Sequence, residues 1–159
     1  FDGDPGGLTL EITESVLMQD TQHVSVLMHN LKDLGIKIAL DDFGTGQSSL
    51  SHLRNFPIDV VKIDRAFVRE IPDNKNDVAM VAAIIAMSHG LGKQVVAEGV
   101  ETEAQLELLR DLGCDSIQGF LYSRPVPIEQ MAALIGQRLQ PGGQPVSASA
   151  GNPRQTATL

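Results

Sequence analysis

The stretch IALDDFGTGQSSL, residues 38–50, joins a short apolar run to two adjacent carboxylates and a glycine-rich turn. Ile38 to Leu40 have the composition of a buried strand, and Asp41 and Asp42 follow at its carboxyl end. Two neighbouring carboxylates repel each other and raise each other's pKa unless a positive charge lies close to them. A solvated turn is one interpretation of this pair, because Asp and Gly are common turn residues. A cation-binding strand end is the other.

Short apolar runs alternate with longer segments of helical period along the chain, which indicates βα units and a parallel sheet. The predicted strands are 8–12, 36–40, 60–63, 94–97 and 116–118, and the predicted helices are 21–34, 77–91, 102–112 and 127 to about 139. Gly35 is a helix stop and Thr102 a helix cap. Five such units form either an open sheet or part of an eight-stranded barrel.

The composition describes one globular, acidic domain. The chain has 159 residues, 42% of them hydrophobic, and a formal net charge of -8. This charge argues against a nucleic-acid polymer as a partner, and a phosphate-bearing ligand would need a cation or a local Lys or Arg. No apolar run approaches the ~18 residues of a membrane span, and the single cysteine excludes an internal disulfide. We therefore predict a cytoplasmic location.

The first residue and the last twenty residues of the chain each support a prediction about its organisation. It begins with Phe1 rather than Met, which indicates a piece of a longer parent whose upstream segments could anchor it to a membrane. Residues 140–159 are rich in Gly, Pro and Ser and nearly free of large apolar side chains, so we predict a disordered tail there and a folded region over 1–139.

Every predicted strand delivers a polar or charged side chain at or just after its carboxyl end, and in parallel α/β proteins this edge carries the active site. In chain order these residues are Glu11, Asp41 and Asp42, Lys62 and Asp64, Glu98, and Gln118.

The acidic strand ends favour a hard cation, because carboxylate oxygens suit Mg²⁺ or Mn²⁺ rather than zinc. Adjacent Asp41 and Asp42 could reach two ions, and paired cations clamp the attacking and leaving oxygens of a phosphodiester. Lys62 would orient the attacking water or offset phosphoryl charge; a plain ion pair with Asp41 or Asp64 is the other interpretation. Glu98 would be a second-metal ligand or the general base.

Five motifs follow one another between about Leu8 and Leu134: LEITES, ALDDFGTGQSSL, FPIDVVKIDRAFV, VVAEGVETEAQL and IQGFLYSRPVP. In content and order they resemble the EAL domain, the bacterial phosphodiesterase domain that hydrolyses cyclic di-GMP. The resemblance implies a TIM-type (β/α) barrel with parallel strands, present here only as about five C-terminal βα units. It also implies a Mg²⁺- or Mn²⁺-dependent hydrolase that opens cyclic di-GMP to linear pGpG in bacterial second-messenger signalling.

The resemblance implies a role for each matched residue. Glu11, Asp41, Asp42 and Glu98 match metal ligands, with Asp41 bridging two ions. Lys62 matches the lysine that holds the catalytic water, Glu98 the residue often assigned as general base, and Gln118 a glutamine near that water. Three further residues match positions that support the site in the family. Glu14 would steady the DDFG loop, and Glu101 and Asp64 would lie next to the metal ligands.

Two departures from the family pattern are visible. Gln47 replaces the tyrosine of DDFGTGYSSL. The Glu-Ala-Leu motif and an asparagine of the first metal site lie upstream in family members and have no place in this chain. We therefore expect the isolated chain to be inactive, and the parent to carry these residues after a sensor or cyclase-like domain. A homodimer formed through the barrel is a further expectation.

Two other functions stay open at this point. An altered upstream motif would make the domain a non-catalytic module that binds cyclic di-GMP, or only a partner, without turnover. A Schiff-base aldolase using Lys62 is more distant, because the surrounding carboxylates would hold the lysine protonated.

Overall fold

Five parallel strands form the sheet that positions the predicted site. In this computed structural model the described residues are 5–19, 21–44, 50–134, 139–140 and 144–145. The sheet strands are β1 Thr9–Thr13, β2 Lys37–Phe43, β3 Val60–Ile63, β4 Gln94–Glu98 and β5 Ser116–Gln118. The α-helices are α1 Glu14–Gln19, α2 Thr21–Asp33, α3 Leu50–Asn55, α4 Arg65–Val68, α5 Lys75–Gly90, α6 Glu103–Asp111 and α7 Ile128–Leu134.

The strand order decides between the two architectures that five βα units allow. The strands pair in chain order, β1-β2-β3-β4-β5, and every pair is parallel. A doubly wound sheet reverses its strand order near the middle, whereas a barrel adds each strand beside the previous one. The sheet is therefore a section of a TIM-type barrel, and the predicted fold class is confirmed as five βα units without closure in the described residues.

The core lies along the middle strands and under the helices that cover them. Leu40, Val61 and Val95 lie opposite one another across β2, β3 and β4 and are buried, while Leu10 on the first strand is 43% exposed. The middle strands are covered because each has a neighbour on both sides, whereas β1 and β5 each pair with one described strand. The packed centre fixes the direction of the strand ends that carry Asp41, Lys62 and Glu98.

Two aspartates bind neighbouring strands at the amino-terminal edge of the sheet, opposite the edge that carries the predicted site. The Asp59 carboxylate accepts a hydrogen bond from the Ile38 backbone N–H at 2.8 Å. The Asp115 carboxylate accepts one from the Val95 backbone N–H at the same distance. Each aspartate immediately precedes its own strand and binds the strand before it. These contacts fix the register of neighbouring strands, so the carboxyl ends of the strands lie side by side.

The helices differ from the prediction in length and number. The long helices are found within two residues of their predicted bounds, and Thr102 caps α6 with a capping box. The short helices α1, α3 and α4 lack a full apolar period, so periodicity did not predict them. Within the described residues no helix is both long and apolar enough to span a membrane.

The last part of the described chain contains one helix and a short ladder. The helix is described over Ile128–Leu134, and Leu139–Gln140 pairs with Gln144–Pro145 as a short antiparallel ladder, β6 and β7. The division into a folded region over 1–139 and a disordered tail over 140–159 stays a prediction. For the rest of that segment, and for the glycine turn and Gln47 within 45–49, the predictions lie outside the described residues.

Candidate active site

The Lys62 side chain lies at the centre of the carboxyl edge of the sheet. Its Nζ is 2.6 Å from Glu98 Oε1, 2.7 Å from Glu11 Oε2 and 3.1 Å from Asp41 Oδ1. The three carboxylates come from β4, β1 and β2, and the lysine from β3. Residues that lie 87 positions apart in sequence, Glu11 and Glu98, therefore contact one ammonium group. The predicted convergence of the strand ends is found.

The carboxylates hold Lys62 in its charged form. Lys62 is 5% exposed. Burial alone lowers its pKa, but the contacts with Glu11, Glu98 and Asp41 raise it by more, so the pKa ends well above its usual value. A protonated lysine is a donor and a point charge, not a nucleophile. The Schiff-base aldolase hypothesis is disfavoured for this reason.

Asp41 and Asp42 sit in an irregular part of β2. The pairing register with β3 shifts between Leu40 and Phe43, so the two aspartates interrupt the regular ladder. Asp42 has φ 55°, a left-handed conformation that is uncommon for a residue other than glycine. In a regular strand, the side chains of two adjacent residues point to opposite faces of the sheet. The irregular backbone at Asp42 changes the direction of its side chain relative to that of Asp41.

Two of the acidic groups bind protons more tightly than usual. Burial raises the Asp42 pKa, and the nearby charges of Asp41 and Asp64 raise it further. Burial also raises the Glu98 pKa against the opposing attraction of Lys62. An acid with a raised pKa is a better proton acceptor once ionised, which is the property expected of a general base. Sequence reasoning anticipated the Asp41–Asp42 repulsion; only the fold reveals the contribution of Asp64.

The supporting residues occupy different positions around this cluster. Asp64 caps α4 by accepting a hydrogen bond from the Ala66 N–H at 2.8 Å. Gln118 lies opposite Glu98 in the β4–β5 register, with an exposed side chain. Glu101 pairs with Arg65 at 3.2 Å rather than with a predicted metal ligand.

Glu14 is a buried acid at the start of α1. It is 7% exposed, and neither carboxylate oxygen has a hydrogen-bond partner among the described residues. Its predicted partner, the loop after Phe43, belongs to the residues outside the described ranges, so the loop-steadying role stays a prediction.

A cavity of about 410 Å³ opens beside Glu98. Sequence reasoning missed several of its lining residues, including Arg65, Phe120 and Arg124. The Arg124 guanidinium lies 4.7 Å from the centre of the Phe120 ring, a cation–π contact. These side chains lie in loops or in a one-turn helix, where no periodic pattern marks them. The only feature of the sequence that could have indicated these residues is that each lies in a segment directly after a predicted strand.

The donor chemistry of the site fits a hard cation. Its acidic side chains present only oxygen donors, and the buried Asp41 Oδ1 has no hydrogen-bond partner among the described residues despite its ion-pair contact with Lys62. The Lys62 ammonium lies at the point that three carboxylates share. In the described part of the chain, no three Asp, Glu, His or Cys side chains are spaced as ligands of one ion.

Comparison with known proteins places this geometry in context. A family model described as the EAL domain matches residues 2–125. The bifunctional diguanylate cyclase/cyclic di-GMP phosphodiesterase MucR of Pseudomonas aeruginosa is 48% identical over 132 residues, which cover 83% of this chain and 19% of MucR.

Solved structures share the fold. The PaMucR phosphodiesterase in complex with c-di-GMP superposes with a TM-score of 0.77 at 48% identity, covering 80% of this chain and 52% of that one. A manganese/cyclic di-GMP complex of Klebsiella pneumoniae BlrP1 has a TM-score of 0.73 at 37% identity, covering 77% and 31%. The chain therefore spans about half of the matched PaMucR structure and a fifth of the curated MucR protein.

Proposed function

The chain belongs to the EAL domain family, and from this premise we propose that it is the C-terminal portion of a metal-dependent phosphodiesterase that hydrolyses cyclic di-GMP to linear pGpG. The observation that carries the proposal is the convergence of Glu11, Asp41 and Glu98 on the buried ammonium of Lys62. Four strands contribute one charged group each to a single point at the carboxyl edge, where barrel enzymes place their chemistry.

The reaction breaks one phosphorus–oxygen bond. The oxygen of a water molecule forms a bond to phosphorus, the ribose oxygen leaves, and one proton passes from the water to the leaving oxygen. In our proposal Glu98 accepts the proton, which its raised pKa favours. Lys62 donates hydrogen bonds toward the water or the phosphoryl oxygens, which gain negative charge as the bond forms. Gln118, opposite Glu98, orients the water.

Divalent metal ions are part of the proposal. Glu11 and Asp41 would hold the first ion, and Asp41, Asp42 and Glu98 the second. When bound, Mg²⁺ or Mn²⁺ supplies Lewis-acid polarisation of the phosphoryl group and lowers the pKa of water. Support comes from the oxygen-only donor set, from the buried Asp41 oxygen without a hydrogen bond, and from the manganese complex of the related BlrP1.

An anionic dinucleotide also needs local positive charge on a chain with a net charge of -8. Arg65 and Arg124 line the cavity next to Glu98 and supply it. Phe120 in the same wall offers an aromatic face for a base. The related PaMucR phosphodiesterase was solved with c-di-GMP bound, which supports this ligand.

The proposal extends to the longer protein that would carry this chain. MucR is named as both a cyclase and a phosphodiesterase, which supports a cyclase-like domain upstream of the present segment. That protein would act in the cytoplasm on a signalling nucleotide, and would use the barrel as a homodimer surface. The isolated chain, which spans about half of the PaMucR phosphodiesterase structure, would be inactive.

A hydrolysis assay on the full-length protein tests the proposal. With Mg²⁺ or Mn²⁺ present we expect cyclic di-GMP to be converted to pGpG, and we expect a chelator to stop the reaction reversibly. Asp41→Asn and Lys62→Ala should each lower turnover by about a hundredfold or more. Intact cyclic di-GMP after incubation with either metal, or near-normal rates in both variants, would refute the proposal.

A non-catalytic receptor is the second candidate function. The observation in its favour is that Lys62 forms ion pairs with three of the acids, while no described triad of Asp, Glu, His or Cys side chains has metal-ligand spacing. Binding of cyclic di-GMP to the full-length protein, measured by calorimetry with no product formed in the presence of Mn²⁺, would favour this candidate.

A further inference from the structure

Gln105 is a buried polar side chain that the mechanism above does not use. It lies in the first turn of α6 and is 5% exposed. Burying an amide is costly unless its donors and acceptor find partners. The contacts of Gln105 show which parts of the molecule meet at this position.

The two ends of the Gln105 amide bind two different segments. Its oxygen accepts hydrogen bonds from the backbone N–H groups of Glu101 at 2.8 Å and Thr102 at 3.0 Å. Its nitrogen donates to the backbone carbonyls of Val68 at 3.0 Å and Arg69 at 3.3 Å. One amide therefore ties the loop that follows β4 to the carboxyl end of α4.

These two segments form one side of the cavity. The loop begins directly after Glu98, the last residue of β4, and carries Gly99 and Glu101, while α4 begins with Arg65. Between the loop and α4, Arg65 forms an ion pair with Glu101 at 3.2 Å. The aliphatic stem of Arg65 lies so close to Gly99, at φ 71°, that a β-carbon there would clash with it. The Arg65–Glu101 pair is largely exposed, so its own attraction is too weak to set the spacing.

We propose that Gln105 is a positioning residue for ligand binding. By holding the post-β4 loop against α4, it sets the distance between Arg65 and Glu101 and so the width of the cavity mouth. The inference rests on the proposed function, because the cavity is taken to receive cyclic di-GMP. Gln105 itself does not line the cavity; it acts through Arg65 and Glu101.

The capping contact offers a matched control. In the same capping box the Thr102 hydroxyl accepts a hydrogen bond from the Gln105 backbone N–H at 3.2 Å. Thr102→Ala removes a helix cap next to Gln105 but leaves the amide bridge to α4 in place. Gln105→Met keeps the side-chain length and removes all four amide contacts. Gln105→Glu keeps the acceptor for the loop and loses the donor to α4 when ionised.

The experiment measures steady-state hydrolysis of cyclic di-GMP by the full-length protein. We expect KM to rise about tenfold in Gln105→Met and Gln105→Glu with kcat within about twofold of wild type, because remote binding contacts are disturbed and the chemistry is not. Thr102→Ala should leave KM within about twofold. An unchanged KM in both Gln105 variants, or an equal rise in Thr102→Ala, would overturn the inference.

Hydrogen exchange separates this inference from the proposed function. In Gln105→Glu, which serves even if Gln105→Met fails to fold, we expect faster amide exchange over Arg65–Arg69, while α6 keeps its protection. This readout needs no substrate. If the wild-type protein neither binds nor hydrolyses cyclic di-GMP, the proposed function fails, and exchange alone then decides whether Gln105 joins the two segments. If the amides of α4 exchange in Gln105→Glu at the same rate as in the wild type, the inference that Gln105 holds α4 against the post-β4 loop is refuted.

Discussion

Replacing Lys62 by Met removes the cation on which three carboxylates converge. The side chain keeps its stem and loses the ammonium, so Glu11, Asp41 and Glu98 are left facing one another. At an effective dielectric constant of about 20, each contact near 3 Å contributes about 5 kcal/mol of attraction before desolvation is subtracted. Removing one partner of a buried pair costs about 3–5 kcal/mol in measured cases.

The expected loss for Lys62→Met is smaller than that range. The partner side chains are 51%, 23% and 19% exposed, so water screens part of the repulsion. We expect the free energy of unfolding to fall by about 2–3 kcal/mol near neutral pH. With a urea slope of about 1–3 kcal/mol per molar, the unfolding midpoint should move down by about 0.7–3 M.

The loss should shrink as the pH falls. Burial already raises the Glu98 pKa in the folded chain, and the variant loses the hydrogen bond and the charge of Lys62, which lower it. A carboxyl group whose folded pKa is raised favours folding below its ordinary pKa and loses that contribution as the pH rises. The variant therefore gains stability relative to the wild type between about pH 7 and about pH 4, where the acids become neutral.

Urea unfolding followed by far-ultraviolet circular dichroism at both pH values measures these changes. Lys32→Met is the matched control, because Lys32 forms an ion pair with Asp59 at 2.6 Å at the other edge of the sheet. It should cost about 1 kcal/mol or less. A Lys62→Met midpoint equal to that of the wild type near neutral pH would contradict the reasoning, as would a gap that widens in acid.

Three further substitutions test separate features of the site. Asp42→Gly should raise stability by up to about 1 kcal/mol, because relief of the left-handed strain at φ 55°, about 1–2 kcal/mol, exceeds the unfolded-chain entropy that glycine adds, about 0.5–1 kcal/mol. It should also lower hydrolysis by the full-length protein about a hundredfold; destabilisation of this variant in thermal melts would contradict the strain argument. Gly119→Ala should cost about 1–3 kcal/mol in urea unfolding, because the new methyl group meets the Val100 backbone, and wild-type stability would show that the backbones can separate. Glu98→Gln should keep or raise the melting temperature near neutral pH, since burial opposes its charge, with the gain vanishing below about pH 4.5; a large loss of stability would show that the ion pair with Lys62 dominates.

Sequence alone determined the features that depend on local spacing. The apolar runs predicted all five sheet strands, because a strand is recognised from a few consecutive side chains. The positions of Asp41, Lys62 and Glu98 near the carboxyl ends of their strands followed directly, and parallel pairing requires such ends to share one edge of the sheet. Glu11 was predicted near the end of its strand, but β1 continues to Thr13. Thr102 was recognised as a cap because the capping box lies within four residues.

Only the tertiary structure decided what these residues do to one another. The convergence of three carboxylates on Lys62 depends on the order and register of four strands, which no local pattern contains. The same holds for Gln105, whose side chain reaches residues 36 and 37 positions away. The left-handed backbone of Asp42 arises where β2 loses its register with β3. Side-chain spacing along a strand is a property of the chain itself, whereas distances across the sheet appear only when the core packs.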